Sequence, residues 1–313
     1  MTGSSSPEAA RGVVYGLVAY VIWGCFPLFF SLFEGVPAWE VLVHRVLWSC
    51  AFLALLASLL GRWAPIREAL AQPRRLGRVL ACAVLICANW GIFIYAVETR
   101  QVFQASLGYF LTPLVNVALG MMVLRERMAV LQGWAIALAG IAIVIQLVMA
   151  GALPWITLSL ALTFGTYGLL RKQVTLDGLS GLFVETLLLL PFALVAITWL
   201  QVSQSSHFLV DAWQTSLLLL SGVATTLPLL AFAAAAVRLR LATLGFLMYI
   251  NPTMQFLTAL VIFREPLTAV QLATFGLIWL GLALYSWSAW RQSREAGQAE
   301  PGRDGNTRPE CES

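Results

Sequence analysis

Ten runs of mostly apolar residues follow one another along this chain. They lie at roughly 13–33, 39–61, 79–97, 103–124, 129–149, 154–170, 179–200, 213–236, 242–263 and 267–289. A helix rising 1.5 Å per residue needs about 20 such residues to cross a hydrocarbon layer. Lipid offers no partners for backbone N–H and C=O groups, so a spanning segment must be a helix or part of a closed barrel. Barrel strands would alternate over about 10 residues, and none of these runs does. The expected fold is therefore all-α and membrane-integral, with ten transmembrane helices. Composition agrees: 60% of residues are hydrophobic and 11% charged, where soluble domains carry about 25% charged residues. The run after residues 1–12 is longer than the 7–15 residues of a signal-peptide core, so it reads as a retained first helix.

The placement of charge orients the chain. With the N-terminus inside, the inner segments hold Arg11; Arg62, Arg67, Arg74, Arg75 and Arg78; Arg125 and Arg127; Arg171 and Lys172; Arg238 and Arg240; and Arg291, Arg294, Arg303 and Arg308. Only Arg100 and Arg264 fall outside, and Arg45 lies within a helix. This bias is what the positive-inside rule requires, and it puts both termini in the cytoplasm. A missed or extra helix would invert every later loop and destroy it.

Several classes of function drop out. A nucleotide-binding Walker A loop needs Gly-Lys-Ser/Thr, and the single lysine, Lys172, is followed by Gln173. No basic stretch sits on a soluble module, so nucleic acid is not expected as a partner. Cys25, Cys50, Cys82 and Cys87 lie in apolar runs and Cys311 in the polar tail, without a Cys-x-x-Cys; they read as small hydrophobes. No metal site, cofactor fingerprint or serine-hydrolase elbow is present, and no enzyme is expected. Gly178-Leu-Ser-Gly181 faintly resembles an intramembrane protease loop, but Ser180 is expected at the inner edge and both His44 and His207 towards the outer side.

The chain also repeats. Ala105-Ser-Leu-Gly-Tyr109 returns as Ala242-Thr-Leu-Gly-Phe246, and Pro113, Arg125, Glu126 and Gln132 return 139 residues later as Pro252, Arg264, Glu265 and Gln271. Trp23-Gly24 has a weaker echo in Phe164-Gly165. The expected organisation is a cytoplasmic segment (1–12), one repeat of helices 1–5 (13–149), a second of helices 6–10 (154–289) and a disordered cytoplasmic tail (290–313). Five helices is an odd number, so the second repeat enters the membrane upside down. Inverted repeats holding substrate near the midplane are a transporter design.

Polar groups inside the runs mark the candidate site. His44 and Arg45 lie five and six residues into the second run from Trp39. An Arg in a membrane helix costs on the order of 2.5–3.5 kcal/mol on insertion scales, which implies a role facing solute or a buried partner. Snorkelling to the surface, or a pair with Glu40, is the structural alternative. Glu185, some six residues into the seventh run, suits proton carriage because protonation relieves the burial of its charge; His44 is the other candidate. Trp23, Trp90, Tyr109 and Tyr249 supply aromatic walls, and Asn89, Asn116 and Thr226 hydrogen-bonding groups, the mixture that small-molecule pockets use. Pro27, Pro113, Pro228 and Pro252 would bend their helices around a cavity, since each removes a helical hydrogen bond. Gly12-x-x-x-Gly16 and Ala135-x-x-x-Ala139 permit close helix packing, within the chain or between two copies as a homodimer.

These segments resemble the RarD-type branch of the EamA-like transporters, in the drug/metabolite transporter superfamily. The matching stretches run from helix 1 to helix 10: Tyr20-Val-Ile-Trp-Gly24, His44-Arg-Val-Leu-Trp-Ser49, Asn89-Trp90, Ala105-Ser-Leu-Gly-Tyr-Phe110, Pro113-Leu-Val-Asn116, Tyr167-Gly-Leu-Leu-Arg-Lys172, Glu185-Thr186, Thr225-Thr-Leu-Pro-Leu229, Arg238-Leu239, Leu244-Gly-Phe246 and Tyr249-Ile-Asn-Pro252. The resemblance implies a ten-helix permease of the bacterial inner membrane built from two EamA repeats. The branch carries the label of chloramphenicol sensitivity or resistance. Two positions depart from its pattern: Gln104 stands where a Glu is usual, and Thr112-Pro113 where Asn-Pro is usual, which weakens proton coupling through helix 4. The expected function is a secondary-active permease moving a small organic solute or drug, polar or anionic and chloramphenicol-like, by alternating access. A non-transporting membrane sensor or assembly partner is the rival reading, and short loops leave it little recognition surface.

Overall fold

The computed structural model describes residues 7–124, 130–150, 153–174, 176–239, 243 and 247–298. Among them the longer segments are all helical. They are α1 (Pro7–Gly24), α2 (Phe26–Phe30), α3 (Ala38–Leu59), α4 (Trp63–Leu70), α5 (Pro73–Glu98), α6 (Val102–Leu124), α7 (Val130–Ala150), α8 (Trp155–Lys172), α9 (Gly178–Val202), α10 (Ala212–Ala236), α11 (Ile250–Leu257) and α12 (Ala269–Gln298). A π-helical turn, Thr258–Ile262, continues α11. Seven stretches are long and apolar enough to cross a membrane: Glu8–Phe30, Ala38–Leu59, Arg75–Glu98, Val102–Leu119, Gly178–Val202, Ala212–Ala236 and Ala269–Ser288. The described parts of the other three expected runs are largely helical as well. Their apolar parts are shorter in α7 (Gly133–Met149) and in α11 with its π turn (Ile250–Ile262), while α8 ends on Arg171 and Lys172.

Several boundaries differ from the sequence expectation, each for a local reason. The first run is not one helix: it breaks at Cys25, and Pro27 occupies the opening turn of α2, where a missing N–H costs nothing. Pro252 likewise sits in the first turn of α11, just after a turn at Tyr249 that follows helical Leu247 and Met248. Pro113 and Pro228 do lie inside α6 and α10, as does Pro191 inside α9. The segment between the second and third runs contains α4, a short helix that the search for 20-residue runs passes over. The tail expected to be disordered from residue 290 instead continues α12 to Gln298; residues 299–313 lie outside those described. So do Arg125, Glu126 and Arg127, and Ala242 and Leu244–Phe246 of the repeated motif.

Helix partners are set by where small residues let backbones meet. A Cβ on Gly222 of α10 would overlap the Trp48 carbonyl carbon and lie 2.6 Å from the Ser49 amide nitrogen, so α10 crosses α3 backbone against backbone. A Cβ on Gly108 of α6 would meet the Thr157 carbonyl oxygen of α8 at 2.8 Å, beside the Thr157 hydroxyl's bond to the Gln104 carbonyl (2.9 Å). Gly24 abuts Met254 of α11, and Gly165 abuts Val115 of α6, each at 2.7 Å from a notional Cβ. Gly12 and Gly16 are taken up against Arg238, Leu239 and Leu247, and Ala135 faces Gly281. Gly12, Gly16 and Ala135 thus take part in packing within the chain. Among the described residues, the seven long helices α1, α3, α5, α6, α8, α9 and α10 pack on one another, while α7 and α12 lie mainly against each other.

Caps and pins fix the helix ends. Asp177 accepts from the Ser180 amide (3.1 Å) and caps α9. Burial pushes its carboxyl up, but this hydrogen bond and the nearby Arg62 hold it below the usual carboxylate range. Glu265 receives the amides of Val102 (2.7 Å) and Phe103 (2.9 Å) at the start of α6.

The Gly222 crossing predicts that Gly222→Ala lowers stability by about 1–3 kcal/mol through overpacking. Gly276→Ala, where nothing lies within 4 Å, should be neutral or slightly stabilising. Thermal unfolding of the two purified variants in detergent compares them; equal midpoints would show that the crossing is not tight.

Candidate functional site

Arg45 projects from α3 about 10 Å in from the Ala38 end, at 1.5 Å per residue. It is 3% exposed. One turn from the Gly222 crossing, its Nε donates to Thr225 Oγ1 at 2.7 Å. The Thr225 hydroxyl itself donates to the Ser221 carbonyl (2.8 Å), which turns its lone pairs towards the guanidinium. Three rings surround the cation: its Cζ lies 4.3 Å from the Trp90 ring centroid, 5.2 Å from Phe30 and 5.4 Å from Phe26. Each such contact contributes roughly 0.5–2 kcal/mol when desolvated.

No carboxylate pairs with Arg45 among the described residues, and its buried Nη1 has no hydrogen-bond partner. Glu40, the alternative suggested by sequence, is engaged elsewhere. Its carboxylate, fully buried, accepts from the His207 amide (2.7 Å) and meets His207 Nδ1 at 2.7 Å. A buried cation without an anion is costly. The aromatic faces and one hydroxyl compensate in part, leaving an N–H donor aimed at nothing in the protein.

Only some of the expected residues gather at this point. Trp90 forms the nearest wall. Tyr109 donates to Asn89 Oδ1 (3.0 Å), and Asn89 Nδ2 is bound to the Leu160 carbonyl (3.1 Å) and Thr163 Oγ1 (3.0 Å). Asn89 therefore ties α5, α6 and α8 together and holds Tyr109, leaving little for a ligand. Thr226 returns its hydroxyl to the Gly222 carbonyl (2.9 Å); the neighbouring Thr225, not Thr226, touches the arginine. His44 faces away from Arg45. It accepts from Trp48 Nε1 (3.2 Å) and its ring lies 4.9 Å from Phe208. Trp23 belongs to another aromatic group, with Tyr20 and Phe232. Tyr249 stands beside Ser286 and Tyr285, and Asn116 is exposed near Gly165 and Gly168.

Glu185 anchors a second polar cluster, about 10 Å into α9 from the opposite, arginine-rich end. Its side chain is 1% exposed, receives the Tyr167 hydroxyl (3.3 Å) and faces Arg171 Nε at 3.5 Å. The Arg171 guanidinium lies over Gly181, where a Cβ would displace it, and its Nη2 donates to the carbonyls of Leu176 and Asp177.

Three features escape the sequence reading. Phe26 and Phe30 are one helical turn apart in α2, and that i, i+4 spacing was the available signal. Phe30 also lines a hollow of about 140 Å³, together with Ser31, Glu34, Val41, Glu98 and Arg100, and so stands between that hollow and Arg45. The 203–211 loop, pinned by Glu40, lays Phe208 against His44 and Trp48; nothing in its sequence foretells that contact.

Apolar helices around a buried, unpaired cation define a multi-pass membrane protein with a polar interior site. The comparisons with known proteins agree. Residues 10–148 match the model of the EamA-like transporter family. An uncharacterized transporter of Vibrio cholerae is 42% identical over 93% of this chain and 97% of its own. Protein RarD of Escherichia coli is 42% identical over 89% of this chain and 94% of its own. A solved crystal structure, 17% identical, covers 90% of this chain and 99% of its own with a TM-score of 0.55, a likeness of fold. The chain belongs to the EamA-like transporter family, as a RarD-type member.

With the unpaired charge removed and the volume kept, Arg45→Met should be as stable as the parent or about 0–2 kcal/mol more stable. Unfolding in detergent measures this; a loss above about 2 kcal/mol would make Arg45 a structural residue.

Proposed function

We propose that this protein is a secondary-active permease of the bacterial inner membrane, moving a small organic solute by alternating access between two inverted five-helix repeats. Arg45 binds an anionic or strongly polar group of the solute, Trp90 and Tyr109 form its aromatic walls, and His44, the preceding residue on the adjoining face of α3, tunes the site through Trp48 and Phe208. Trp23, Asn116 and Tyr249 meet the solute at other depths along its path. The observation that carries this reading is the buried Arg45 guanidinium, whose Nη1 lacks a protein partner.

Ten spans and cytoplasmic termini follow from the charge bias of the loops. The packing supports the inverted repeat. Gly24 and Gly165 are the echoed glycines, and the residues they abut, Met254 and Val115, are 139 residues apart. That is the offset separating Pro113 from Pro252. Helix pairs also come in exchanged couples: α1 on α10 with α8 on α5, and α6 on α8 with α11 on α1.

Glu185 is the proton carrier in this account. Arg171 would release it on protonation, and Tyr167 would keep it oriented. The alternative coupling group, His44, has an unpartnered Nε2 but no acidic neighbour in hydrogen-bond contact.

Untargeted metabolite profiling of cells and medium, across wild type, a deletion strain and Arg45→Ala, tests the reading. A solute should redistribute with wild type alone, and its direction would separate export from import. Identical profiles under varied growth conditions would reject the permease. For coupling, Glu185→Gln should remove dependence of that flux on the pH gradient; retained dependence would exclude Glu185.

A further inference from the structure

The arginine-rich end of the bundle carries a groove that the transport reading does not use. It has a volume of about 460 Å³ and is lined by Trp63, Ile66, Arg67, Leu70, Phe183 and Leu187. The first four residues are spaced i, i+3, i+4 and i+7, which makes one stripe of α4. The last two are one turn apart on α9. Three of the four stripe positions are apolar. Ile66 is buried at 1% exposure, Leu70 is 38% exposed, and the Trp63 ring meets Phe183 edge-on at 5.6 Å. The fourth is Arg67, which is exposed. Its methylene stem can lie along the apolar wall while the guanidinium reaches polar surroundings.

The neighbouring charges make Arg67 the groove's available cation. Arg62 lies close enough to Asp177 to hold its carboxyl down. Arg75 pairs with Glu68 at 3.4 Å. Glu68 stands next to Arg67 in sequence, but its partners are Arg75 and Gln72. Arg67 has no ion pair among the described residues.

An apolar trough of this size at the edge of a membrane protein, with one free guanidinium in its wall and a tryptophan at its end, matches a lipid with a negative headgroup. Tryptophan favours the headgroup level, and basic clusters beside spanning helices attract anionic lipid at about 1 kcal/mol per Lys or Arg. A neutral zwitterionic lipid would fill the trough equally well but would give Arg67 no net charge to meet.

We propose that this groove is a binding site for one anionic phospholipid, with an acyl chain between α4 and α9 and the phosphate on Arg67. The site fastens the short α4 helix to α9, where Phe183 and Leu187 flank Glu185 in sequence, and so ties the arginine-rich end to lipid charge.

Native mass spectrometry of the purified full chain, with phosphatidylglycerol or phosphatidylcholine added at equal concentration, tests this. Wild type should retain phosphatidylglycerol at least fivefold more than phosphatidylcholine. Arg67→Gln should reduce that preference to about twofold or less, while Arg78→Gln, an exposed arginine of the same cluster outside the groove, should keep it. Leu187→Trp, which fills the trough, should lose both lipids. Equal retention of the two lipids by wild type, or an unchanged preference in Arg67→Gln, would overturn the proposal. So would equal losses in Arg67→Gln and Arg78→Gln, which would indicate a diffuse basic surface. Displacement of phosphatidylglycerol by millimolar inorganic phosphate would reduce the site to a simple anion contact and reject the acyl-chain part.

Discussion

Among the described residues, one buried positive charge, Arg45, lacks a negative partner, and much of the surrounding structure serves to hold it there. Arg45 could not be retained at 3% exposure by one hydroxyl. The rings of Trp90, Phe30 and Phe26 supply the remaining electrostatic contact. Those rings come from α2 and α5, and the hydroxyl from α10, so the cation is a meeting point of four segments. The break at Cys25 and the proline that opens α2 aim Phe26 and Phe30 at it. The described residues place no anion there, and on the proposed function an anion-bearing solute completes the site.

Position around that point depends on close backbone contact. Gly222 allows α10 to lie directly on α3, and one turn further along the same pair of helices Thr225 meets Arg45. Asn89 performs the corresponding task between α5, α6 and α8, fixing Tyr109 by its carbonyl oxygen and α8 by its amide. Hydrogen bonds of this kind are individually modest in membranes, about 0.6 kcal/mol each. Their value here is geometric, since they determine which ring and which donor face the interior. Glu40 and His207 act similarly at the nearer end, where they bring Phe208 over His44 and Trp48.

The helical class and the burial of Arg45 are legible in the sequence for the same reason: lipid punishes exceptions. Apolar runs of spanning length have few alternatives, and an arginine inside one must be explained. The sequence could not show which polar neighbours the arginine meets. Thr225 and Thr226 are adjacent and chemically alike, and only the rotation of α10 decides that Thr225 faces Arg45 while Thr226 bonds back to Gly222. Asn89 reads as a ligand group until its three partners are seen. Trp23 and Tyr249 are aromatic and lie in apolar runs, yet Trp23 packs with Tyr20 and Phe232, and Tyr249, in the turn before α11, stands beside Tyr285. The α4 helix was missed because eight amphipathic residues lie below the length that a spanning search detects. The helix break at Cys25 was hidden because an apolar run does not change composition where its backbone turns.

The central claim is that Arg45 is the ion partner of a solute. The most direct test is the thermal stability of the purified protein against a panel of small organic acids, amines and neutral solutes matched in size, measured for the wild type and for Arg45→Met. The account predicts that the compounds raising the wild-type midpoint carry a carboxylate, phosphate or comparably polar group, and that Arg45→Met keeps its fold but no longer responds to them. Stabilisation by amines alone, or an undiminished response in Arg45→Met, would contradict it.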